Sequence, residues 1–125
     1  MKLLLIATAL TEVGTGLALL IAPVLTAHLL LGAEVSGAAI PIARVTGAAL
    51  LGLGVACWFA RNDVQNRAAR GVVAAILVYD IGAVLALGMA GIQLPTAGII
   101  LWMAVAVHAV MAIWCVAVLW RRAAQ

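Results

Sequence analysis

The sequence predicts an all-α membrane protein: four transmembrane helices in a compact bundle, with both termini cytoplasmic. Three observations predict it. Of 125 residues, 68% are hydrophobic and only 9% are charged, and mean hydropathy is +1.29. Such a chain lacks the polar residues that would cover a soluble domain of this size. Its apolar runs recur four times at the ~20-residue length that crosses a hydrocarbon core of ~30 Å. Its basic residues gather at alternate ends of those runs, as topology signals do.

The first predicted helix covers about 3–22. The start MKLLLIATAL mimics a signal peptide. The run continues past signal-peptide length, carries Glu12 and lacks a well-placed small-x-small cleavage site, so it reads as an uncleaved span. Pro23 breaks or kinks the chain. The next stretch, PVLTAHLLLG, is too short to cross, and either extends helix one or lies at the interface. Residues 32–37 are the first loop, and the second helix covers about 38–60, with Pro41 tolerated in its first turn. RNDVQNRAAR is the one strongly polar segment. There Asp63 is expected to cap the third helix and stands four residues before Arg67. The third helix covers about 70–90, GIQLPT is a tight turn, and the fourth covers about 97–120, ending at Arg121 and Arg122. The whole reads as one domain, 1–125.

Lys2, Arg61, Arg67, Arg70, Arg121 and Arg122 lie at the N-terminus, in or beside the second loop, or at the C-terminus, while the first and third loops hold no Lys or Arg. The positive-inside rule then places both termini and the second loop in the cytoplasm, in a cell's inner (plasma) membrane. Trp58, Phe59 and Trp120 fall at the same interface. The net charge of +3 is thereby explained as a topology signal, with no nucleic-acid partner. Cys57 and Cys115 sit in apolar segments without a CxxC and read as buried thiols.

Four ionisable side chains fall well inside the predicted spans, one per helix: Glu12, Arg44, Asp80 and His108. Each costs roughly 2.5–3.5 kcal/mol at mid-bilayer on insertion scales, so the four are expected to face inward and meet. At ~1.5 Å rise per residue, Glu12 and Asp80 lie about 14 Å from the cytoplasmic boundary, His108 about 18 Å and Arg44 about 9 Å from the outer one. The expected arrangement pairs Arg44 with Glu12 or Asp80, and hydrogen-bonds His108 to the other acid. Thr8, Thr15 and Gly16 share the Glu12 face at helical spacing. Ala48, Gly52 and Ala56, and likewise Gly82, Ala86 and Ala90, form small-residue runs that let helices approach closely. There is also an internal echo: EVGTGLALLIA (12–22) aligns without gaps on DIGAVLALGMA (80–90), acid on acid. A true repeat would be parallel, with a pseudo-twofold axis along the membrane normal.

No nucleophile–base motif, phosphate loop or dinucleotide fingerprint is present, so the chain reads as a non-enzyme. His108, Met111 and Cys115 share one face of helix four. Soft ligands at that spacing would suit copper, but ordinary core packing with one hydrogen-bonded histidine is the preferred reading, and no metal or cofactor is assigned. A haem would need a second axial ligand, and His28 is expected at the outer interface, far from His108.

Two resemblances attach to these residues. The acid and glycines of helix one, the proline followed by LLLG, RVTGAALLGLGVACWFAR in helix two and the histidine of helix four resemble the DoxX-like small four-helix membrane proteins over most of the chain. That resemblance implies a fold, and roles in quinone-linked sulfur oxidation or in assembling other membrane proteins. TALTEVGTGLAL (8–19) is similar to the first helix of small multidrug resistance exporters, which implies a proton- and cation-binding role for Glu12. The rest departs from them: no aromatic cage is seen in helices two and three, and the charge bias is one-sided.

Three functional readings follow. The first is an accessory subunit or a binder of a small lipophilic ligand, held between helices braced by Glu12, Arg44, Asp80 and His108. The second is a proton-coupled small-molecule transporter that loads protons on Glu12 or Asp80. The third is a quinone-linked redox component. Partners are expected within the bilayer: lipids, a second membrane protein or another copy of the chain.

Overall fold

The computed structural model describes residues 1–63 and 65–123, with the side chains through Arg121. Val64, Ala124 and Gln125, included in the polar loop and the domain limits above, lie outside the described residues. Five helices follow one another: α1 (Lys2–Ile21), α2 (Pro23–Leu31), α3 (Ala39–Ala60), α4 (Arg67–Gln93) and α5 (Ile99–Ala123). There is no strand among the described residues. Four helices, α1, α3, α4 and α5, are long and apolar enough to cross a membrane. Their outer surface is apolar, with Leu10, Val45, Val78 and Ile113 all well exposed.

The extra helix comes from Pro23. A residue before proline is pushed out of the helical region, and Ala22 sits at φ −132°, ψ 62°. Pro23 then opens α2 at a position where its missing N–H costs nothing. Thr26 spans the break, its backbone N–H and its hydroxyl donating to the Ala22 carbonyl at 2.9 and 2.8 Å. Nine residues reach only about 14 Å, so α2 is too short to cross. Gly32 ends it in the left-handed conformation (φ 66°). A side chain there would run into the Thr96 carbonyl, which holds this loop against the α4–α5 turn.

The start of α4 differs from the expectation. Asn66, not Asp63, is its N-cap, its side chain accepting from Ala68 N–H at 3.0 Å. Asp63 supports the cap one step away, its Oδ2 accepting from Asn66 Nδ2 at 3.1 Å. The helix therefore starts at Arg67, three residues early. At the other end of the same loop, Arg61 stacks over the Trp58 ring, 3.7 Å from its centroid, and donates to the Trp58 carbonyl.

The helices associate as two antiparallel pairs. α1 runs along α3 and α4 along α5, while contact between the pairs is much sparser. The α1–α3 seam is built on glycine. A Cβ on Gly16 would stand 2.7 Å from the Gly47 carbonyl oxygen, and a Cβ on Gly47 would stand 2.7 Å from that of Gly16. Gly54 lies against Val13 and the Ala9 carbonyl. In lipid, where no hydrophobic force acts between helices, such close approach would supply the attraction. On α4–α5, Gly91 makes room for the Trp102 indole.

The small-residue runs expected to pack do not do so. Ala48, Gly52 and Ala56 are exposed, as are Gly82 and Ala86, and nothing comes within 4 Å of a Cβ added to Gly52 or Gly82. The buried face of α3 is Gly47, Leu50, Gly54 and Cys57. Gly52 is two residues from Gly54, and at about 100° per residue that is the far side of the helix.

Leu4, Leu5, Ala9, Cys57, Val73, Ile76 and Cys115 form one buried cluster from all four long helices. Both cysteines are fully buried, as expected. The cluster joins the starts of α1 and α4 to the ends of α3 and α5, so Lys2, Arg61, Arg67, Arg70 and Arg121 share one end of the molecule.

The glycine seam predicts that Gly16→Ala and Gly47→Ala each lower stability by about 1–3 kcal/mol, because the obstacle is backbone and cannot turn aside. Gly14→Ala and Gly52→Ala, where nothing lies within 4 Å, stay within about 0.5 kcal/mol. Reversible unfolding in bicelles measures both pairs, and equal losses at all four positions would refute the seam.

Candidate functional site

Above the apolar cluster, α1, α4 and α5 each place a polar group at one level. Glu12 on α1 is 3% exposed and Asp80 on α4 is 2% exposed. His108 on α5 hydrogen-bonds Asp80, its Nδ1 2.9 Å from Oδ1. The imidazole is mostly buried, its side chain 13% exposed. Tyr79 stands edge-on to the His108 ring, centroids 5.4 Å apart at 83°, and its phenol lies beside the Glu12 carboxyl. The result is a chain of groups from α1 to α5: Glu12, Tyr79, His108, Asp80.

Two polar atoms in this region are buried without a hydrogen-bond partner, Thr8 Oγ1 and Asp80 Oδ2. Thr8 is one turn below Glu12 on the same face. The contrast with other threonines is informative. Thr11 and Thr46, on exposed faces, satisfy themselves by donating to the carbonyls of Ala7 and Ile42 at 3.0 and 2.9 Å, the usual resort of a helical hydroxyl. Thr8 does not.

Of the four expected cluster members, Asp80 and His108 bond directly and Glu12 is buried near them; Arg44 stands apart. It is exposed on α3 and makes no ion pair among the described residues. Gly47 packs on Gly16 in an antiparallel register, so Arg44 stands about seven residues, or ~10 Å, along α1 from Glu12. The cost of a charge in the span leaves Arg44 a second escape besides facing inward. Arg44 is only five residues into α3, and a long basic side chain near a helix end can reach the interface instead.

The supporting face also divides. Thr8 and Gly16 are buried, while Thr15 and Gly82 are exposed. Thr15 and Gly16 flank Glu12 on opposite sides, and α3 covers only the Gly16 side. Gly82 is two residues beyond Asp80 and so points away from it. Tyr79 was missed. It is the one tyrosine in the sequence, adjacent to Asp80 and inside an apolar run, and that polar tip was the available signal.

The cluster is acidic in excess. It has two carboxyls and one imidazole, with Arg44 elsewhere. Buried charge must be paired or neutralised. One imidazole cannot balance two carboxylates, and Glu12 has no ion-pair partner among the described residues. Among the described residues, no three His, Cys, Asp or Glu side chains converge as a metal site.

Comparison with known proteins adds nothing to this geometry: no protein-family model, curated protein or solved structure matches the chain.

Two predictions test the cluster. His108→Ala strands Asp80 and lowers stability by about 1–3 kcal/mol. Adding Asp80→Asn recovers part of that loss, a coupling readable by a double-mutant cycle, while Arg44→Gln changes stability by less than about 0.5 kcal/mol. A stability loss for Arg44→Gln as large as that of His108→Ala would place the arginine in the cluster after all. Separately, Thr8→Val removes an unpartnered buried hydroxyl at nearly constant volume. It should leave stability unchanged or raise it by about 1 kcal/mol; a clear loss would mean that the hydroxyl is bonded.

Proposed function

We propose that the chain is a multi-pass membrane protein whose four long helices form one bundle in a cell's inner membrane, termini cytoplasmic, and that the Glu12–Asp80–His108 cluster is a proton-binding site coupled to movement of a small molecule. The observation that carries this is the acid excess. A purely structural clasp is most stable when its charges cancel, whereas a site built to load and release protons keeps an unbalanced acid. Glu12 fits that role, since its neighbour is the Tyr79 phenol and not a cation. The site's position supports the reading as well. Glu12 belongs to one helix pair and Asp80 and His108 to the other, and sparse contact between the pairs suits rocking of one half against the other around a mid-depth site.

Binding of a lipophilic ligand, a quinone among them, is the second reading. The partial exposure of His108 favours it, because an imidazole that is not fully enclosed leaves room for a ligand to approach. An accessory role beside another membrane protein would use the same outward surface.

Infrared difference spectroscopy on the purified protein tests the proton site. A pH-dependent carboxylic acid C=O band should appear in the wild type and vanish in Glu12→Gln. In proteoliposomes, a panel of small molecules is screened for proton efflux, and Asp80→Asn or Glu12→Gln abolishes the efflux that any substrate drives. If both carboxyls stay ionised over the accessible pH range, or if neither substitution alters flux, the proton-coupled reading fails. A co-purifying quinone whose release follows His108→Ala would put the second reading in its place.

A further inference from the structure

The α4–α5 pair carries a separate feature on its outward side. Near the basic end, Leu77, Val116, Leu119 and Trp120 line a groove of about 550 Å³, with Arg70 at its rim. Leu77, Val116 and Trp120 also line a second stretch that passes Ile81 and Ile113, where every lining residue is apolar. The two stretches are therefore one groove. From Arg70 to Ile81 it runs about 16 Å along α4, close to one leaflet of a ~30 Å core. The matching recess on the α1–α3 pair, lined by Ala9, Leu10, Val13, Val55, Trp58 and Phe59, has no charged residue. Arg70 is exposed and pairs with no acid among the described residues.

We propose that this groove binds one anionic phospholipid. Its phosphate is held by the Arg70 guanidinium, a planar donor suited to phosphate oxygens. One acyl chain lies along Leu77, Ile81, Ile113 and Val116. Trp120, 76% exposed, sits at the headgroup level that indole rings prefer. A basic group at the end of an intramembrane groove is the arrangement by which helices select anionic headgroups. The inference rests on the membrane reading of the chain and is independent of the proton site.

The test uses the full chain in nanodiscs of equal parts phosphatidylcholine and phosphatidylglycerol, released gently and weighed by native mass spectrometry. The wild type should retain phosphatidylglycerol over phosphatidylcholine by about fivefold, the preference one basic group near the headgroups confers. Arg70→Gln should abolish that preference and Arg70→Lys should keep most of it. Arg67→Gln, at the same end, should leave it unchanged. Ala117→Phe, which fills the groove, should lower total retained lipid, with helicity checked by circular dichroism. No headgroup preference in the wild type, or one that survives in folded Arg70→Gln, overturns the site. Failure of the membrane reading looks different: the protein would then be recovered in the aqueous fraction and not in the nanodiscs.

Discussion

The reciprocal contact of Gly16 with Gly47 is the constraint on which the rest depends. Each glycine lies where a Cβ would strike the other's carbonyl oxygen at 2.7 Å, so the two backbones pack directly on one another with no side chain between them. That approach sets the face α1 turns toward its neighbours. Glu12 is one turn from Gly16 on that face and is thereby buried. Thr8, a further turn along, is buried with it. A fixed backbone approach is what holds this carboxyl in a buried place, where an unpaired charge is costly.

The second half of the chain solves the same problem by other means. Position 84, aligned with Gly16 through the echo of 12–22 in 80–90, is valine, so the glycine seam has no counterpart there. The α4–α5 pair is instead joined by the Asp80–His108 hydrogen bond and by the Trp102 indole lying over Gly91. Aligned positions nonetheless take like places. Glu12 and Asp80 are both buried, and Gly14 and Gly82 both face open space. One half holds its acid by backbone packing, the other by a basic partner. The first acid is thus left without a cation, and the cluster as a whole is acidic.

Much of the fold was legible because membrane insertion writes itself into composition. Span number, the break at Pro23 and the gathering of basic residues at one end all follow from length, hydropathy and proline stereochemistry. The level of Glu12, Asp80 and His108 was legible too, since depth is counting times rise per residue. Which small residues would pack was not. Ala48, Gly52 and Ala56 have the spacing of a packing stripe and face outward, while Gly47 and Gly54, seven residues apart and so also on one face, make the contacts. Spacing defines a face of a helix but not the neighbour that will cover it.

The sequence by itself determined that four helices are long and apolar enough to cross a membrane, that each carries one acid, arginine or histidine well inside its span, and that three of those groups share a depth. Only the tertiary structure decided which groups meet. It turned Arg44 outward, brought in Tyr79, and left Thr8 Oγ1 and Asp80 Oδ2 unpartnered. The reason is rotational. Depth along a helix is fixed by residue count, but the direction a side chain faces has meaning only once a neighbouring helix has chosen a side. Here two glycines on α1 and α3 made that choice.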